Sequence, residues 1–208
     1  MSAPRPRHFS MIREFHLADL ITLLNGFLGA GAVLAFMRFT LDQESVFFWL
    51  GTALLPGALI MDALDGRIAR RRGMASPLGQ ELDSLADVVS FGVAPVAMAF
   101  AVGMRGGWDA LCLVYFVGCG ISRLARYNVT ASELSGPQGK VKYFEGFPIP
   151  TSLVLVALLA VLAGLGRWQD ALPFGVVTFA GFRLHPVSLL FALHGSAMIS
   201  KTLRIPKL

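Results

Sequence analysis

The chain has 208 residues, 55% of them hydrophobic and only 15% charged, against about a quarter charged in soluble proteins, so it reads as an all-α integral membrane protein. Its basic balance, 18 Lys+Arg against 13 Asp+Glu, belongs in such a chain to loops on one side of the membrane, and nucleic acid is not expected as a partner. Cys112 and Cys119 stand on one helix face without metal-ligand spacing, which makes them packing residues.

Residues 1–7 are basic and Pro-containing, and no apolar run directly follows their charges, so a cleavable signal is not expected. Phe9, Ile12 and Phe15 recur at helical spacing, which suits a short amphipathic helix on the membrane surface within residues 1–16. The first span is expected from Leu17 to Met37, about the length a bilayer needs. Thr22, Asn25, Gly26 and Gly29 share one of its sides, a stripe that suits close helix packing, and a buried Asn25 amide needs partners. A second span runs from about Val46 to Arg70 and ends in the positive turn Arg70-Arg71-Arg72-Gly73. Ser76-Pro77 then reads as N-cap and first residue of a third span. A fourth is expected from Trp108 to Tyr127, a polar loop from Thr130 to Lys142, and a fifth from Phe147 to Leu165. Residues 167–184 fit either a loop or the start of a long last helix, and a sixth span follows from Pro186 to Leu203.

Six spans put both termini on one side. On that side fall 14 of the 18 Lys+Arg, leaving only Arg38, Arg105, Arg167 and Arg183 on the other. The asymmetry assigns both termini, and the turn between the second and third spans, to the cytoplasm.

That turn separates two pairs of aspartates. Asp62 and Asp65 lie at i, i+3, and Asp83 and Asp87 at i, i+4, so each pair shares a helix face. Antiparallel neighbours joined by a short turn bring the pairs together. Each aspartate inside the bilayer costs roughly 2.5–3.5 kcal/mol, and nearby cations are too few to neutralise them, Arg70 being the obvious one. Four clustered carboxylates suit a hard divalent cation, and two facing pairs suit two such ions clamping a phosphoryl group. Gly66 and Ala69 after Asp62, and Gly79 before Asp83, leave bare backbone beside the acids for a bulky polar ligand.

The run Asp62-x2-Asp65-Gly66-x2-Ala69-Arg70-x8-Gly79-x3-Asp83-x3-Asp87 resembles the signature of the CDP-alcohol phosphatidyltransferases at every signature position. ADLITLLNGFLG, ELDSLADVVSFGVAP, RLARYN, FEGFPIP and MISKTLRIPK resemble one branch of that family, the phosphatidylserine synthases. The resemblance implies a single membrane domain over residues 1–208 that transfers a phosphatidyl group from CDP-diacylglycerol to the hydroxyl of L-serine, releasing CMP. It implies one divalent ion, Mg or Mn, on Asp62, Asp65 and Asp83, and a second on Asp62, Asp83 and Asp87, with Asp87 also the general base. Gly66, Ala69, Arg70 and Gly79 would border the CDP-lipid, as would Thr22 and Asn25 of the first span. Glycine-lined helix faces and the resemblance both point to a homodimer in the cytoplasmic membrane.

Serine's carboxylate needs a cation, for which Arg123, Arg126 and Lys142 are candidates, and Glu145 could face its ammonium. The family signature does not separate serine from glycerol phosphate or inositol phosphate as acceptor, nor diacylglycerol from an archaeal-type lipid donor. A divalent cation transporter is a further alternative, since membrane carboxylates often mark ion paths. A path should cross the bilayer, however, and here the acids gather at one end.

Overall fold

A computed structural model describes residues 17–72, 77–134, 143–200, 202 and 204–206. The expected surface helix within residues 1–16 therefore lies outside the described residues, as does Ser76. The first helix, α1 (Leu17–Asp42), extends five residues beyond the expected Met37. It stops at Gln43, whose left-handed backbone (φ 58°) ends the helix while its side-chain amide donates to the carbonyls of Phe39 and Thr40. The second helix, α2 (Ser45–Arg72), returns antiparallel and keeps Pro56 inside it.

The third rod begins at Pro77, as the Ser-Pro reading expects, but it is not one regular helix. α3 (Pro77–Asp87) leads into a π turn, Val88–Val93, and then α4 (Ala94–Val102). The π geometry is seen in the bond from the Ala94 N–H to the Val89 carbonyl, five residues back. α5 (Gly107–Leu134) continues seven residues past Tyr127, into the stretch expected to be loop. Two shorter helices follow, α6 (Leu153–Gly164) and α7 (Leu189–Ile199), each entered through a 3-10 turn, Ile149–Ser152 and Pro186–Ser188.

Among the described residues, four rods are long and apolar enough to cross a bilayer: Ala18–Asp42, Ser45–Ile68, Leu78–Val102 and Gly107–Val129. The apolar helices Ile149–Gly164 and Pro186–Ile199 are shorter than the roughly 20 residues that span hydrocarbon. The sixth element ends at Ile199 rather than Leu203, because Ser200 is extended. Residues 167–184 are not the start of a long helix. They hold a 3-10 turn (Gln169–Ala171) and the hairpin of β2 (Val177–Phe179) with β3 (Phe182–Leu184). A second antiparallel pair joins β1 (Tyr143–Glu145) to β4 (Arg204–Pro206).

The core runs through the bundle along Phe36, Phe48, Phe91, Met98, Phe116 and Phe191, all fully buried. At one end Phe39, Phe48 and Trp168 stack edge to tilt, with centroids 4.9–5.4 Å apart. Cys119 is buried against Gly195 of α7, a packing role as expected, and neither cysteine is in a disulfide.

The small-residue stripe of α1 meets the third rod. A Cβ on Gly26 would touch that of Ala86 at 3.5 Å, whereas one on Gly29 would fall 2.3 Å from Ser90 Oγ. Gly29 therefore lets α1 reach the π turn, where Ser90 Oγ donates to the Asn25 carbonyl at 2.9 Å. Gly29→Val should lower stability by about 1–3 kcal/mol through overpacking, seen as a drop in thermal unfolding midpoint of the detergent-solubilised protein. Gly118→Val, at a position with nothing within 4 Å, should leave that midpoint unchanged.

Candidate active site

The four aspartates gather where α2, α3 and α1 meet. One carboxylate oxygen from each of Asp62, Asp83 and Asp87 lies within 4.8 Å of the others. Asp87 is buried, while Asp62 and Asp83 are half-buried. Three charges so placed repel by roughly 3 kcal/mol per pair at an effective dielectric constant of about 20. Asp83 Oδ1 is buried and has no hydrogen-bond partner among the described residues. An all-oxygen set with an orphaned oxygen fits a hard divalent cation.

Asp65 stands outside that group of three. It is buried, its Oδ2 accepts a 2.7 Å bond from Thr22 Oγ1, and its charge acts on Asp62 and Asp83. Thr22 Oγ1 also lies 3.1 Å from the Ala18 carbonyl of its own helix.

Asn25 supplies the contact to Asp87. It is fully buried, and its Nδ2 donates to Asp87 Oδ1 at 3.3 Å. A carboxylate only accepts, so this bond sets which way the amide points. Asn25 Oδ1 is then left buried without a partner among the described residues. The backbone carbonyl of Asn25 is held by Ser90, so both ends of the residue are tied to the third rod. Gly66 and Gly79 are half-buried on α2 and α3. Ala69 and Arg70 close α2, and their side chains lie outside the described residues.

The second region is built from α5 and the segment before α6. Arg123 is half-buried with an unpartnered Nε, and Asp87 is the carboxylate whose charge acts on it most. Arg126 is exposed. Of the two arginines, Arg123 is thus the more buried. Asn128 was not singled out in the sequence, yet it ties this end of α5 to α3. Its Nδ2 donates to Ser84 Oγ at 3.0 Å, and Gln80 Nε2 donates to its Oδ1 at 3.3 Å. Only its place in RLARYN signalled it.

FEGFPIP fills the gap beside this region. Ile149 is buried between Gly92 of the π turn and Gly120 of α5, where a Cβ would come within 2.9 Å of Ile149 Cδ1. Gly146 has φ 73°, and a Cβ there would lie 2.2 Å from the Met198 carbonyl, so glycine is required. The adjacent Phe147 N–H donates to the Ala197 carbonyl at 3.2 Å, and Glu145 pairs with Arg204 in the β1–β4 ladder. The C-terminal RIP thus backs the FEG turn, which explains why both stretches are distinctive. The Glu145 side chain and Lys142 lie outside the described residues. Thr151 Oγ1 meets His194 Nε2 at 3.0 Å nearby, and this pair too went unread in the sequence.

The family model for CDP-alcohol phosphatidyltransferase matches residues 15–193. The chain belongs to the CDP-alcohol phosphatidyltransferase family. Among relatives, it is 47% identical over 203 residues to a Saccharomyces cerevisiae protein named CDP-diacylglycerol–serine O-phosphatidyltransferase, covering 96% of this chain and 74% of that one. It is 36% identical over 172 residues to a Mycobacterium leprae protein of the same name, covering 80% of this chain and 54% of that one. A Methanocaldococcus jannaschii protein of that name is 32% identical over 175 residues, covering 78% of this chain and 75% of that one. This chain spans about half the length of the mycobacterial and Helicobacter pylori relatives that it matches. The aspartate signature falls on α2 and α3, with Asp62, Asp83 and Asp87 converging.

The repulsion among the three carboxylates has a measurable consequence. Asp83→Asn should raise the thermal midpoint of the metal-free protein, because it removes one charge from the cluster. The same change should abolish the gain that wild type shows on adding Mn²⁺, which at 100 times Kd amounts to about 2.7 kcal/mol.

Proposed function

We propose that this protein transfers a phosphatidyl group from CDP-diacylglycerol to the hydroxyl of L-serine, yielding phosphatidylserine and CMP. The observation that carries the reading is the carboxylate triad, Asp62, Asp83 and Asp87, within 4.8 Å, with the half-buried Arg123 in the field of Asp87. The names of the relatives, one 47% identical over 203 residues, supply the acceptor.

Two divalent cations, Mg or Mn, would be held by Asp62, Asp65, Asp83 and Asp87. When bound, they supply Lewis acidity that neutralises the diphosphate and stabilises the departing CMP. The protein's own groups do the rest. Asp87 accepts the proton of the serine hydroxyl as that oxygen attacks phosphorus. Asn25, donating to Asp87 Oδ1, fixes the plane of that carboxylate. Thr22 does the same for Asp65. Gly66, Ala69, Arg70 and Gly79 border the CDP moiety, where absent side chains and one cation suit a nucleotide diphosphate. Arg123 takes the serine carboxylate, since its guanidinium is half-buried and its Nε lacks a partner among the described residues. Arg126, Lys142 and Glu145 are weaker candidates for the same headgroup, because Arg126 faces outward.

In the same reading the whole chain is one membrane domain of six spans with a surface helix in residues 1–16, Ile149–Gly164 and Pro186–Ile199 completing the set. The excess of Lys and Arg on the side of the acids supports termini and site facing the cytoplasm, where serine is dissolved. A homodimer in the cytoplasmic membrane is part of this proposal and is supported by the family.

Purified protein with CDP-diacylglycerol and Mn²⁺ should release CMP with L-serine and not with glycerol 3-phosphate. CMP release with glycerol phosphate alone would refute the serine assignment. Arg123→Ala should raise the KM for serine at least tenfold while changing that for CDP-diacylglycerol little, and Arg126→Ala should have the smaller effect. Equal rises in both constants for Arg123→Ala would remove its carboxylate role.

A further inference from the structure

At the end of the bundle opposite the aspartates, the β2–β3 hairpin has two unlike faces. Cross-strand partners share a face. Val177 with Leu184, and Phe179 with Phe182, make one face wholly apolar, while Thr178 with Arg183 makes the other polar. Trp108 meets one edge of the apolar face, yet most of it is open: Phe179 is 67% exposed and Phe182 58%. Phe174, just before the hairpin, is 85% exposed and sits at φ 69°, a backbone state that bulky residues rarely adopt. The chain thus tolerates backbone strain at the residue that carries its most exposed aromatic ring.

The height of this hairpin along the bundle is fixed. Trp108, in the first turn of α5, donates from Nε1 to the Phe179 carbonyl at 2.9 Å and stacks on the rings of Phe179 and Phe182. Cβ atoms on Gly106 and Gly107 would strike Arg183 O at 2.0 Å and Phe182 Cδ1 at 2.6 Å, so the hairpin lies directly on the start of α5. Asp109, fully buried, accepts from the Gly106 N–H at 2.9 Å, the His185 N–H at 2.7 Å and His185 Nδ1 at 2.6 Å. Arg183 pairs with Asp170 on the polar side. From Asn128, near the acids, to Trp108 is about 30 Å at the rise of an α-helix, the thickness of the hydrocarbon core. The hairpin therefore stands where the bilayer ends.

We propose that the Val177–Leu184 hairpin, with Phe174 and Trp108, is an interfacial anchor that lays its apolar face into the headgroup region of the leaflet opposite the active site. Its occupant is lipid. The aromatic rings suit the boundary between headgroups and acyl chains, and Arg183 and Thr178 turn toward water. The inference does not depend on the reaction catalysed, only on the helices spanning the membrane.

The test uses the full chain in phosphatidylcholine–phosphatidylglycerol vesicles, with nitroxide labels at Thr178→Cys, Phe179→Cys and Phe182→Cys in a Cys112→Ala, Cys119→Ala background. Labels at 179 and 182 should relax with dissolved oxygen several-fold more than with a water-soluble nickel chelate, and the label at 178 the reverse. Equal exposure of all three to the nickel chelate would place the hairpin in water and overturn the proposal. If the cysteine-free background does not fold, benzoylphenylalanine at 179 in the otherwise unchanged chain replaces it. Photoadducts with phospholipid support the anchor, whereas adducts with a second copy of the chain, or none with lipid, overturn it.

Discussion

Mutual repulsion among carboxylates in a poorly polarisable medium is the constraint that the rest of this structure serves. Asp62, Asp83 and Asp87 come from two consecutive helices, with oxygens within 4.8 Å. Nothing apolar is gained by placing them so. Two of the four carboxylates, those of Asp65 and Asp87, are held by side chains of a neighbouring helix. α1 supplies both bonds, and Gly29, where a Cβ would fall 2.3 Å from Ser90 Oγ, lets it lie against the third rod. From there Asn25 reaches Asp87, while Thr22 reaches Asp65 on α2. The cluster costs stability that a bound cation would restore, a pattern expected where function sets the local structure.

The π turn links the acid cluster to the acceptor side. It begins at the residue after Asp87 and supplies Ser90 to Asn25 and Gly92 to Ile149. A π segment adds a residue to the helical turn, so the faces before and after it are out of step. Before it, the third rod presents acids toward α1 and α2. After it, α4 packs against α6. Asn128, bonded to Ser84 and Gln80, then fixes α5 so that Arg123 comes within the field of Asp87.

Much of this was legible from residue spacing. The four apolar runs, the aspartate pairs and the small-residue stripe follow from helical periodicity and the cost of charge in hydrocarbon, and each has its counterpart among the described residues. Spacing failed where geometry departs from a regular helix or depends on distant sequence. The π turn leaves no periodic mark, since VVSFGV is as apolar as the regular helix around it. The length of α5 was misjudged because its last turn is polar, as a helix leaving the membrane should be. Residues 167–184 were ambiguous because a hairpin this short, with glycines at 175 and 181, has too little alternation to read. Spacing alone does not separate Arg123 from Arg126 at i, i+3; only packing shows that one is half-buried and the other exposed. Likewise Asp65 was indistinguishable from the other aspartates until Thr22 was seen to hold it.

The central claim is that the converging carboxylates exist to hold divalent cations. Anomalous difference density from crystals grown with Mn²⁺, collected above and below the manganese edge, tests it directly. The account predicts a peak bounded by Asp62, Asp83 and Asp87, with carboxylate oxygens at roughly 2.0–2.3 Å, the range of hard divalent ions on oxygen. Full-occupancy Mn²⁺ elsewhere in the protein, with no anomalous density among those three carboxylates, would contradict it.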